Sequence, residues 1–102
     1  MNKSLDIPCL KYYPQALRRI ENLDAHICSR LEEEINELRL NPYGGKSLKG
    51  KLKGKYSWRF GDYRIIYKIE KEPQLTIVIC GLGHRQDVYK IATRLLQLIL
   101  SL

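Results

Sequence analysis

Apolar and polar positions alternate most clearly between Lys55 and Ile69. An alternation with period two, carried by aromatic and β-branched residues, predicts β-strands. Gly61-Asp62 divides this segment into two arms, and a two-residue loop that contains glycine predicts a hairpin with a primed turn. The register that such a turn imposes sets aromatic and aliphatic residues opposite each other on one face, which we expect to be buried.

The same register sets like charges opposite each other on the other face of the hairpin. Arg59 falls opposite Arg64, and Lys55 falls opposite Lys68. Like charges at directly opposed positions destabilise a sheet. Binding of an anion to this face would explain the arrangement, and a solvated face with splayed side chains is the simpler alternative. We favour the anion for the arginine pair, and solvation for the lysine pair taken alone.

Two helices are predicted before the hairpin from apolar residues at helical spacing. The first begins near Pro14, and the second runs from an N-cap at Asp24 to about Leu40, so that together they form a helical hairpin with one apolar side. The remaining segments are a first strand at Ser4 to Leu10 that Pro8 confines to an edge, a loop without period at Tyr43 to Gly54, a strand at Leu75 to Gly81 buried on both faces, and a last helix.

This order of elements predicts one α+β domain over residues 1–102, with the N-terminal helical hairpin packed on a small antiparallel sheet and a C-terminal helix. No apolar run is long enough to span a bilayer, and no signal-peptide core is present, so we expect a cytoplasmic protein without a membrane partner. Cys9, Cys28 and Cys80 show no CxxC spacing and are odd in number. They predict reduced, mostly buried thiols and no metal site.

The net charge of +7 is unevenly distributed along the chain. The segment from Lys46 to Lys68 has eight Lys or Arg and one acid, whereas the segment from Glu21 to Glu37 has six acids and one Arg. This asymmetry predicts a basic face for a polyanion, for which nucleic acid is the commonest partner. A membrane surface is disfavoured because the basic residues lie on strands and a glycine-rich loop.

Three cationic residues and one phenol are predicted to converge beside the second arm of the hairpin. Arg64 lies on that arm, His84 and Arg85 follow the next strand, and Tyr89 lies one helical turn beyond Arg85. Such a set suits RNA cleavage, in which the 2′-hydroxyl is the nucleophile, arginine stabilises the charge and nearby cations favour the tyrosine phenolate as a base. The alternatives are structural: Tyr89 as an anchor for the last helix, Arg85 in an ion pair, and His84 as a satisfied turn residue.

Three motifs in this order resemble the RelE/ParE superfamily of bacterial toxin–antitoxin toxins, and most closely its RelE-like mRNA interferases. They are LKGKLKG at 48–54, GDYRIIYKI at 61–69 and GHRQDVY at 83–89, and the resemblance extends from about Tyr12 to Ala92. It implies a microbial-ribonuclease-like fold. RelE-like members cut mRNA in the ribosomal A site, without metal or cofactor, and leave a cyclic phosphate.

The resemblance also implies roles for individual residues. Arg64 matches the arginine that holds the scissile phosphate, Arg85 the one that stabilises charge or protonates the leaving group, and Tyr89 the tyrosine that acts on the 2′-hydroxyl. Lys55 matches one of two strand lysines, and the second falls on Ser57 in this chain. The residues expected to bind RNA around this catalytic set are Lys49, Lys51, Lys53, Arg59 and His84.

The partners implied by the resemblance are mRNA, the ribosome and a cognate antitoxin whose acidic or amphipathic segment would cover the basic face. Two other functions stay open. One is a ParE-like toxin that acts on DNA gyrase without cleaving RNA, a class whose members generally lack the set Arg64, Arg85 and Tyr89. The other is a degenerate member that binds an antitoxin or RNA and catalyses nothing, which Ser57 would favour.

Overall fold

The structure, a computed structural model, describes residues 7–84 and shows an α+β fold of two helices and a five-stranded sheet. The strands lie in the order β1-β5-β4-β3-β2. In chain order the elements are β1 (Cys9–Tyr12), α1 (Pro14–Glu21), α2 (Ala25–Leu40), β2 (Lys46–Ser47), a 3₁₀ turn (Gly50–Leu52), β3 (Lys55–Phe60), β4 (Tyr63–Glu70) and β5 (Thr76–His84). The predicted last helix lies outside the described residues.

The hairpin of β3 and β4 has the predicted register, with Trp58 opposite Ile65 and Tyr56 opposite Tyr67. Gly61 in the turn has a φ of 55°, and no residue other than glycine has a positive φ in the described part of the chain. A positive φ at the first central position only is the pattern of a type II′ turn. The glycine therefore fixes the register of both arms, as the sequence predicts.

The predicted starts of both helices are confirmed, together with the end of α2. Pro14 occupies the first turn of α1, where its missing N–H has no cost. The Asp24 side chain caps α2 by accepting a hydrogen bond from the Ile27 amide at 3.0 Å. Glu34 then ties α2 to β3, because its carboxylate accepts from the Trp58 indole at 2.9 Å and from Arg30 at 3.1 Å.

The main core lies between the two helices and one face of the sheet. Ala16 of α1 and three residues of α2 pack there against apolar side chains from three strands. The buried members of this cluster are Ala16, Leu31, Ile35, Leu38, Phe60, Ile65, Tyr67, Ile77, Ile79 and Leu82. The predicted apolar face of the hairpin is thus the face that the helices cover.

The first strand differs from the prediction in place and in direction. β1 begins at Cys9 instead of Ser4, and it pairs with β5 in parallel, so the sheet is mixed and the prediction of an antiparallel sheet is wrong for this strand. Backbone hydrogen bonds from Cys9 to Leu75 (3.0 Å) and from Tyr13 to Ile79 (2.9 Å) fix it there. The edge position is as predicted: Pro8 precedes the strand, and its carbonyl accepts two hydrogen bonds from Arg39.

The other face of the sheet carries a second, smaller apolar cluster that the sequence did not predict. Its buried members are Leu52, Ile66, Val78 and Cys80, with Leu48 and Tyr13 packed against them. Leu48 and Leu52 reach this face because the predicted loop contains β2 and the 3₁₀ turn. This face of the hairpin, which also carries Lys55, Ser57, Arg59 and Arg64, is therefore only partly open to solvent, since Ser57 is buried.

β5 is buried on both faces, as predicted, but it continues to His84. A bulge interrupts its pairing with β4: Ile66 lies opposite Gly81 and Tyr67 opposite Ile79, which leaves Cys80 as the extra residue. The bulge reverses the alternation of faces along the strand. Ile79 and Leu82 consequently both belong to the main core, although three positions separate them.

The three cysteines are free thiols, and they differ in exposure. Cys80 is buried, Cys28 is half-buried and Cys9 is exposed, so the prediction of mostly buried thiols is wrong for Cys9. Burial raises the pKa of the Cys80 thiol, and the charges of Lys55 and Lys68 only partly oppose this effect. Neither of the described helices is long and apolar enough to cross a bilayer.

Candidate nucleic-acid interface

Two arginines lie side by side on the face of the sheet that the helices do not cover. Arg59 of β3 is directly opposite Arg64 of β4, as the turn register predicts. Neither forms an ion pair with a carboxylate of residues 7–84. Adjacent unpaired guanidinium groups repel each other, and an anion placed between them would remove this repulsion.

Arg64 carries a specific hydrogen-bond deficit. Its Nε is buried and has no hydrogen-bond partner within the described residues. A buried donor without a partner costs about 1–3 kcal/mol. On the other side of Arg64 the register partner in β5 is Gly83, which has no side chain. The position is therefore suited to an acceptor from another molecule, and the guanidinium fork matches the oxygens of a phosphate.

Both arginines line a groove of about 510 Å³ at the β2 edge of the sheet. The groove is lined by Gly44, Gly45, Lys46, Ser57, Trp58, Arg59 and Arg64. We call it the basic groove. Lys46 lies opposite Ser57, so its side chain is on the same face as the two arginines.

Lys46 lines the basic groove and was not predicted from the sequence. It belongs to a two-residue strand inside a glycine-rich segment that has no periodicity of its own. The position of Lys46 depends on its pairing with β3, which no local pattern indicates. The general excess of lysine between positions 46 and 68 was the available signal, and it does not single out one residue.

Tyr67 fixes the wall of the basic groove from inside the sheet. Its hydroxyl donates to the Pro42 carbonyl at 2.7 Å and accepts from the Gly45 amide at 3.1 Å. A Cβ at Gly45 would overlap this hydroxyl and approach the Ser57 carbonyl oxygen to 2.9 Å. Burial raises the pKa of Tyr67 to about 12, although the Gly45 hydrogen bond lowers it, and the phenol therefore stays protonated at neutral pH.

Lys55 lies on the same face but outside the groove. It is four positions from Arg59 along β3, a separation of about 13 Å. Its register partner Lys68 forms a 3.3 Å ion pair with Glu70 and lies 5.6 Å from the centroid of the Tyr13 ring. Burial lowers the pKa of Lys68, but these two neighbours outweigh it and raise the pKa overall. Glu70 thus offsets the repulsion between the two lysines.

His84 lies on the opposite face of the sheet from Arg64. It pairs with Tyr63, whose ring is 5.9 Å away and edge-on, and it borders a pocket beside the end of α1. Strict alternation from Cys80 would have placed His84 on the face of Arg64, and the bulge in β5 reverses this order. The structure does not bring His84 together with the arginines.

The lysines of the glycine-rich segment are exposed around the 3₁₀ turn. Lys51 lies in the turn, and Lys49 and Lys53 flank it, none of them among the residues that line the basic groove. Arg85 and Tyr89 lie outside the described residues. Within residues 7–84, no group of three or more His, Cys, Asp or Glu side chains is close enough to hold a metal ion.

Comparison with known proteins connects this architecture to one family. The sequence model of the family described as ParE toxin of type II toxin-antitoxin system, parDE, matches residues 10–89. The toxin RelG of Mycobacterium tuberculosis is 44% identical over 46 residues, which are 45% of this chain and 52% of RelG. The matched segment thus spans about half the length of that relative.

Solved structures are similar over most of the chain. The toxin–antitoxin complex RelBE2 of M. tuberculosis contains a chain that is 31% identical, with a TM-score of 0.69, over 76% of this chain and 98% of that one. An arginine-to-alanine mutant of E. coli RelE in the free state has a TM-score of 0.71 at 19% identity, over 86% and 96% of the two chains, and shows the shared fold. With the family match covering most of its length, the chain belongs to the RelE/ParE superfamily of toxins of type II toxin–antitoxin systems.

Proposed function

We propose that this toxin is an endoribonuclease that cleaves mRNA in the ribosomal A site, and that the basic groove holds the scissile phosphate. The observation that carries the proposal is the arrangement of Arg59 and Arg64. These residues lie side by side without a carboxylate partner in the described part of the chain, and the Nε of Arg64 lacks an acceptor. A phosphate would supply the acceptor and the countercharge together.

In the proposed reaction the RNA supplies its own nucleophile. The 2′-oxygen loses its proton to a base and bonds to phosphorus, while the bond from phosphorus to the 5′-oxygen breaks and that oxygen takes up a proton. The products are a 2′,3′-cyclic phosphate and a 5′-hydroxyl. Arg64 would stabilise the charge that builds up on the phosphate oxygens. By their positions in GHRQDVY, we assign Arg85 to the leaving oxygen and Tyr89 to the 2′-hydroxyl.

Lys46 takes the place of the lysine that the chain lacks at position 57. The resemblance to RelE-like toxins implies two strand lysines, of which Lys55 is one and Ser57 replaces the other. Because Lys46 lies opposite Ser57 on the neighbouring strand, it brings a cation to the same face. We propose that Lys46 supplies the positive charge near the phosphate and that Lys55 binds RNA farther along β3.

We further propose a cognate antitoxin as the protein partner. The similar chain in the RelBE2 structure is part of a toxin–antitoxin complex. With a net charge of +7 and two arginines on one face that form no ion pair within residues 7–84, this toxin suits a partner with an acidic segment, which would occupy the basic groove and exclude RNA.

Primer-extension mapping of cellular mRNA after induction of the toxin tests the activity. We expect discrete cuts within codons, and we expect Arg64→Ala to reduce them by about 10²–10³-fold, the usual loss when one charge-stabilising donor is removed. Arg85→Ala should reduce them comparably. Arg18→Ala is the matched control, because Arg18 is an exposed arginine on α1, in the layer on the other face of the sheet. Equal cutting by Arg64→Ala and Arg18→Ala would refute the assignment.

A ParE-like action on DNA gyrase is the second candidate, and the family description that matches residues 10–89 favours it. Under this alternative, induction would cause a DNA-damage response without cuts in mRNA. The same mapping experiment, with a damage-response reporter in parallel, separates the two activities. Neither cuts nor a damage response would indicate a member that only binds RNA or an antitoxin.

A further inference from the structure

Tyr43 is the only exposed residue among the phenylalanine, tryptophan and tyrosine side chains of the described part of the chain, with 53% of its surface accessible. It follows the end of α2 and belongs to neither a helix nor a strand. A single exposed apolar residue is common on protein surfaces and needs no explanation by itself. The orientation and the position of this ring are what distinguish it.

The Tyr43 ring packs against another aromatic ring. The Tyr43 and Tyr56 rings form an edge-to-face pair with a centroid distance of 6.1 Å and an angle of 79°. Tyr56 in turn stacks on Tyr67 at 5.3 Å. The Tyr67 hydroxyl also binds the backbone on both sides of Tyr43, at Pro42 and at Gly45. A ring that is already ordered loses little conformational entropy when a ligand stacks on it.

Tyr43 also adjoins the basic groove in sequence. Gly44 and Gly45 follow Tyr43 directly and line that groove. Consecutive Cα atoms are about 3.8 Å apart, so the ring is attached within one residue of the groove wall. Glycine leaves the intervening backbone without side chains, and at Gly45 a Cβ would overlap the Tyr67 hydroxyl.

An ordered aromatic ring beside a cationic groove is the combination that binds single-stranded nucleic acid, with the groove contacting phosphates and the ring stacking on a base. We propose that Tyr43 is a base-stacking residue, which receives a nucleobase of the RNA strand whose phosphate lies on Arg64 and Lys46. This inference rests on the proposed function and adds a contact that would position the strand along the groove. Stacking tolerates every base, so Tyr43 would contribute affinity and register more than sequence preference.

Fluorescence anisotropy with a labelled single-stranded oligoribonucleotide tests the inference, with 2′-O-methyl groups throughout so that it cannot be cleaved. We expect Tyr43→Ala to weaken binding by about 5- to 160-fold, the range of a lost base–aromatic stack, and Tyr43→Phe to bind nearly as tightly as the unmodified protein. The dependence of affinity on salt should be unchanged in Tyr43→Ala. In Lys46→Ala the slope of log affinity against log salt concentration should fall in magnitude by about one, because only that substitution removes a phosphate contact.

Abasic substitutions in the oligonucleotide supply the second measurement. At one position of the oligonucleotide, removal of the base should weaken binding to the unmodified protein as much as Tyr43→Ala does. The same removal should not weaken binding to Tyr43→Ala any further. Tyr43 makes no hydrogen bond within the described residues, so we expect both variants to fold, which far-UV circular dichroism checks.

Three results would overturn the inference, and they differ in what else they affect. Salt-dependent RNA binding that is equal in Tyr43→Ala and the unmodified protein refutes the stacking role and leaves the proposed function intact. Absence of RNA binding by the unmodified protein, together with absence of mRNA cuts after induction, refutes both. Unchanged RNA affinity with weaker co-purification of a co-expressed antitoxin would assign the ring to the protein partner.

Discussion

The Tyr67 hydroxyl ties the segment before β2 to the centre of the sheet, and its removal should be costly. Tyr67→Phe deletes one oxygen atom and leaves the Pro42 carbonyl and the Gly45 amide without their partner. A hydrogen bond contributes about 1 kcal/mol net, and an unpaired buried group costs about 1–3 kcal/mol. Because Pro42 and Gly45 are half-buried and water can reach them in part, we expect the free energy of unfolding to fall by about 2 kcal/mol.

Urea unfolding, followed by the fluorescence of Trp58, measures this loss. The midpoint should decrease while the dependence on urea stays the same, since the substitution changes stability and not the exposed area. Tyr56→Phe is the matched control: Tyr56 stacks on Tyr67, but its hydroxyl makes no hydrogen bond within residues 7–84. We expect the control to change stability by less than about 0.5 kcal/mol. Equal losses in the two variants would refute the role of the hydrogen bonds.

The pH dependence of the same variant supplies an independent check. Burial raises the pKa of Tyr67 from 10.0 to about 12 in the folded state. A folded-state pKa above the unfolded value means that the stabilisation is complete below pH 10 and is lost as the pH rises towards 12. The difference in stability between the unmodified protein and Tyr67→Phe should therefore shrink over this interval, and a constant difference would contradict the burial argument.

Three further predictions concern other parts of the fold. Asp24→Ala should lower the free energy of unfolding by about 1 kcal/mol in urea, because the N-cap of α2 is lost; an unchanged midpoint would contradict the cap. Gly45→Ala should lower the free energy of unfolding by about 1–3 kcal/mol through overpacking. The double mutant with Tyr67→Phe should lose less than the sum of the two single losses, because both substitutions act on the same contact. A thiol reagent at neutral pH should label Cys9 in the folded protein and Cys80 only after unfolding, as peptide mapping would show; equal labelling would contradict the burial of Cys80.

The parts of the fold that the sequence predicted are those with local signals. The β3–β4 hairpin has a period of two and a glycine turn, and these fix which residues face each other, including Arg59 and Arg64. The second helix has a capping residue at Asp24 and a regular apolar stripe. In each case the residues that determine the structure lie within a few positions of one another, so their pattern is visible in the chain.

The parts that the sequence did not predict depend on distant partners. β1 has four residues and β2 has two, and each exists because of the strand beside it. Lys46 becomes a groove residue only through this pairing. The bulge at Cys80 moves His84 away from Arg64. Gly81 directly follows it, and a glycine within a strand is compatible with a bulge but does not show that the faces reverse there. Such features follow from the packing of the whole sheet, and the local periodicity of the sequence does not reveal them.

The parallel pairing of β1 with β5 has a consequence for the time at which this protein folds. Cys9 pairs with Thr76 and Tyr12 with Ile79, so the edge of the sheet joins two segments that are far apart in the sequence, and β5 is made after β1. β5 also contributes Ile77 to the core beneath the helices. A growing chain therefore lacks both an edge and part of its interior until β5 has left the ribosomal exit tunnel, and contacts of such large sequence separation form slowly. We expect the nascent polypeptide to lack this fold, and therefore its activity, until β5 has been made.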